Sequence, residues 1–97
     1  DEGDLIAEAL GDKKVIILQN HGILTTGPSV DIALWFYTSL ERCCQAQLMA
    51  DAAGETQLIP HDTAIKTRSF IANDVAAWAS FQPAFDMICK KEPDLFD

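Results

Sequence analysis

Few side chains in this 97-residue sequence are equipped for chemistry. The histidines are His21 and His61, the cysteines are Cys43, Cys44 and Cys89, and one acid-base pair, Glu41-Arg42, stands in an apolar surround. His21 is flanked by Asn20 and Gly22 within Lys14 to Gly27, KVIILQNHGILTTG. An imidazole where an apolar strand ends, beside a glycine that lets the backbone bend, suits a metal or a substrate, and equally suits a backbone hydrogen bond. Spacing alone favours the backbone role. His61 follows Pro60 in a polar loop, where a surface or capping role is the default. Adjacent Cys43 and Cys44 cannot form an unstrained disulfide or face one ion together, so the odd count predicts reduced thiols packing as small hydrophobes. Glu41-Arg42 reads as a solvated or salt-bridged patch before it reads as a catalytic pair. Thr25 and Thr26 could offer hydroxyls to a substrate, but threonine is ordinary in a strand. Gly22 and Gly27 read as permissive turn positions.

The elements that place these residues follow from periodicity and caps. Gly3 to Leu10 predicts a short amphipathic helix stopped by Gly11. Val15 to Leu18 is an unbroken apolar run, the pattern of a strand covered on both faces, and Ile23 to Thr26 is a second β-prone run. Ser29 caps a long helix over Val30 to Ala53, ending near Gly54, with Asp31 in its first turn where the helix dipole favours an anion. That helix is apolar almost all round, which predicts burial against a sheet and, through Trp35 and Met49, a contact with another subunit. Glu55 to Pro60 reads as an extended link. His61-Asp62-Thr63 then resembles a capped start for a helix over Ala64 to Ile71. Asn73 to Lys91 forms a second strongly apolar helix, which Pro83 should kink or split. Residues 92–97, EPDLFD, read as an acidic surface tail.

Composition removes several functions. Seven basic against fifteen acidic residues give a net charge of -8, spread along the chain, which argues against nucleic acid and anionic membranes as partners. No apolar run spans a bilayer and the acidic start does not look like a signal peptide, so a soluble, cytoplasmic protein is expected. Internal repeats, a glycine-rich phosphate loop, a nucleophile elbow and a His-Glu-x-x-His are all missing from the sequence. A catalytic zinc takes about three protein ligands and an open position. The chain offers His21, His61 and carboxylates without ligand spacing, so it does not assemble a metal site alone.

Asn20-His21-Gly22, then Ile23 to Gly27, then Ser29-Val30-Asp31-Ile32-Ala33-Leu34 running into Leu40-Glu41-Arg42, resembles the class II aldolase/adducin family. The likeness continues through Gln45-Ala46-Gln47-Leu48 and, more loosely, through Trp78 to Phe85. It implies the C-terminal portion of that family's domain over residues 1–97. The implied fold class is α/β, a partial layered α/β/α sandwich in which the hairpin belongs to a larger central sheet with packed helices. The resemblance makes His21 a ligand of a catalytic divalent metal, usually Zn2+, and Asn20, Gly22 and Gly27 its motif and backbone positions. The remaining metal histidines, in a His-x-His element, and the acidic general base are expected upstream. The activity implied is aldol-type carbon-carbon cleavage or epimerisation of a sugar phosphate or hydroxy-carbonyl compound, with the metal polarising a carbonyl. A non-catalytic, adducin-like assembly domain and a free-standing oligomerising domain remain as alternatives. A homo-oligomer is expected in each case.

Overall fold

The computed structural model describes residues 1–97. Asp1 caps α1, Glu2–Leu10, by accepting the Asp4 backbone N–H at 2.9 Å. Gly11, at φ 55, closes that helix with its N–H on the Ala7 carbonyl. The chain then forms an antiparallel hairpin of β1, Val15–Leu18, and β2, Gly22–Thr25, with Val15 opposite Thr25 and Leu18 opposite Gly22. The sheet has these two strands and no others, so both outer edges carry unpaired backbone groups.

α2, Val30–Ala53, has the bounds the cap residues predict. The Ser29 hydroxyl accepts from the Ile32 N–H at 3.4 Å, and the Gly54 N–H bonds the Ala50 carbonyl at 3.2 Å. α3 spans His61–Ile71 and α4 spans Asp74–Lys91, with Asn73 accepting from the Ala76 N–H at 2.8 Å. A 3-10 turn over Pro93–Phe96 folds the acidic end back so that Phe96 meets Phe85 edge-on, ring centroids 6.4 Å apart.

The helices α2 and α4 pack antiparallel: Asp31, in the first turn of α2, meets Gln82, while Phe36 further along shares a cluster with Ala77. That cluster, Ile32, Phe36 and Ala77, is the entire buried core. Val15 and Trp35 pack around it. Burying a ring such as Phe36 contributes about 2–3 kcal/mol, so three side chains supply little of what a domain needs.

Three sequence expectations need correcting. β1 is not covered on both faces: α1 and α2 are the helices that reach the hairpin, and Ile17 stays 65% exposed. His61 is not in a loop but is the first residue of α3, because Pro60, at φ -54 and ψ 141, supplies the extended residue ahead of the helix without any side-chain cap. Pro83 does not divide the last helix. Its ring lies on an exposed face, so the carbonyl of Ala79, also exposed, can turn to water in place of the missing N–H. Trp35 is half-buried beside the core. No helix is long and apolar enough to cross a membrane.

Candidate functional site at the hairpin tip

His21 stands at the turn between β1 and β2, placed by backbone geometry. Its N–H bonds the Leu18 carbonyl at 3.1 Å, closing a tight turn over Leu18 to His21. Asn20 takes φ 61, the one positive value among non-glycine residues, at the third turn position. Type II turns require this conformation there, and asparagine tolerates it better than any residue except glycine. Gly22 follows at φ 150, with open space around the missing side chain. Glycine-like conformations on either side therefore bracket His21, and its imidazole is exposed with no side-chain hydrogen bond. The backbone-bonded, buried histidine is not what the structure contains.

The base of the hairpin is held by polar contacts. Thr25 Oγ1 donates to the Ala33 carbonyl at 2.8 Å, tying β2 to α2. Thr26 donates to the Lys14 carbonyl through its backbone N–H at 2.8 Å and through Oγ1 at 3.4 Å. These hydroxyls are spent on the scaffold, which corrects the idea that they face a substrate. Gly27 is tight: a methyl there would sit 2.9 Å from Ile32 Cγ2 and 3.0 Å from the Ala33 nitrogen. Gly27 serves close packing of the loop on α2 rather than a left-handed turn.

The other candidates stay apart. His61, Glu41 and Arg42 are exposed, and Glu41-Arg42 forms no ion pair, so it is the solvated patch. The three cysteines are free thiols. No three His, Cys, Asp or Glu side chains gather anywhere to hold a metal ion. His21 alone is one ligand where catalytic zinc takes three, so these residues by themselves do not fit a metal. An open cavity of about 800 Å3 lies at the far end of the hairpin, lined by Lys13, Lys14, Phe36, Arg68 and Asp74 among others, and His21 takes no part in it.

Sequence reasoning missed Lys14. Its ammonium donates to the Ala72 carbonyl at 2.5 Å, lies 3.7 Å from the Asp74 carboxylate and sits 5.0 Å above the Phe36 ring. These partners lie 22 to 60 residues away and nothing in the local pattern announces them.

Residues 1–48, which hold the hairpin and most of α2, match the family described as Class II Aldolase and Adducin N-terminal domain. A solved structure, L-fuculose 1-phosphate aldolase from Glaciozyma antarctica PI12, superposes with a TM-score of 0.92 at 41% identity over 97% of this chain and 38% of its own. The chain belongs to the class II aldolase/adducin family. Decarboxylase NovR of Streptomyces niveus is 40% identical over 98% of the chain. The 4-hydroxy-3-prenylphenylpyruvate oxygenase/4-hydroxy-3-prenylbenzoate synthase of Streptomyces roseochromogenus subsp. oscitans matches equally, 40% over 98%. These matches carry the family likeness through α3 and α4, beyond residue 48. The chain spans about a third of the length of these relatives, 35% and 34%. As a class II aldolase/adducin segment, it has the partial α/β fold expected of it: a two-stranded antiparallel sheet with helices packed on it.

Proposed function

We propose that residues 1–97 are the C-terminal portion of a class II aldolase-type domain, and that His21 is one ligand of its divalent metal, zinc by preference. The reaction assigned to the whole protein is carbon-carbon cleavage or epimerisation of a hydroxy-carbonyl compound or sugar phosphate. The observation that carries this reading is the presentation of His21: an exposed imidazole free of hydrogen bonds, at a turn fixed by Asn20 at φ 61 and by the N–H bond to Leu18. A side chain held this way is available to a ligand set completed from outside these residues. The general base also belongs outside them. Aldol cleavage and decarboxylation both break a carbon-carbon bond, so the reading agrees with the activities for which the aldolase and the decarboxylase are named.

The exposed apolar surface favours a second reading, an adducin-like assembly domain without catalysis. Leu48 and Met49 on α2 and Trp78 on α4 are 71%, 67% and 51% exposed, and such surface suits burial by other copies.

Metal analysis of protein comprising the relatives' full length separates the two. Bound divalent metal, largely lost in His21→Ala together with turnover of a sugar phosphate or hydroxy acid, is the expected result. Equal metal content in His21→Ala and the parent protein would remove His21 from the site. A metal-free, inactive protein would leave the assembly reading.

A further inference from the structure

We draw no further inference here: the strongest candidate, the open cavity between the foot of the hairpin and α3 lined by Lys13, Lys14 and Arg68, carries nothing, because Lys14 is already bonded to Ala72 and Asp74, Lys13 and Arg68 are exposed surface cations, and nothing in the structure shows what covers it.

Discussion

The side-chain amide of Gln82 donates to the carboxylate of Asp31 at 3.2 Å, joining the middle of α4 to the first turn of α2. Hydrogen bonding, foremost from the Ser29 hydroxyl and including Gln82 and the N–H groups of Asp31 and Ile32, outweighs partial burial and holds this carboxyl below the usual value of 3.8. A depressed folded-state pKa stabilises the fold above the unfolded value, and the benefit disappears as pH falls through the folded one. Asp31→Asn should therefore lower stability at neutral pH and flatten its acid dependence below about pH 4. Denaturant titrations from neutral to acid check this, and parallel curves for the two proteins would contradict it.

Gly27→Ala should destabilise the fold by about 1–3 kcal/mol, the usual cost of overpacking. The new methyl meets backbone, the Ala33 nitrogen at 3.0 Å, as well as Ile32 Cγ2 at 2.9 Å, and backbone at the start of a helix yields poorly. The midpoint of urea unfolding measures the effect.

Asn20 should accept glycine and reject β-branched residues. With φ at 61, Asn20→Val costs about 1–2 kcal/mol through its Cβ while Asn20→Gly stays close to the parent. Thermal unfolding of the two variants should rank them in that order. Under the proposed ligand role of His21, Asn20→Val should also weaken metal retention in the longer protein, since His21 is the next residue.

Pro83→Ala should stabilise α4. The substitution restores an N–H able to bond the Ala79 carbonyl at an exposed position, for a gain of about 1–3 kcal/mol. Circular dichroism melts would show it, and a lower melting temperature would mean that the proline shapes a contact that alanine cannot reproduce.

What could be read from the sequence depended on how local its cause was. The bounds of α2 were legible because Ser29 and Gly54 act within four residues of the ends they cap. The Asn20-His21-Gly22 turn was legible because asparagine and glycine mark positions of unusual φ. His61 was misplaced because a proline can precede a helix as readily as a loop, and Pro83 because exposure of its face, which makes it tolerable, is a tertiary property. The role of Lys14 was invisible: its partners Phe36, Ala72 and Asp74 are brought near only by the packing of three helices. The exposure of Ile17 was equally hidden, since an apolar strand looks the same whether its cover lies in this stretch or beyond it.

A core of three side chains also bears on cooperativity. Sharp unfolding requires many contacts to be lost together, and here Ile32, Phe36 and Ala77 are the only side chains largely removed from water. Studied alone, these residues should melt over a broad range, with amides of the α2 half beyond Glu41, where nearly every side chain is exposed, exchanging with solvent far faster than those near Phe36. Any sharp transition seen in a longer protein would then be set by surfaces these residues share with their surroundings, and exchange protection appearing at Leu48 and Met49 would locate those surfaces residue by residue.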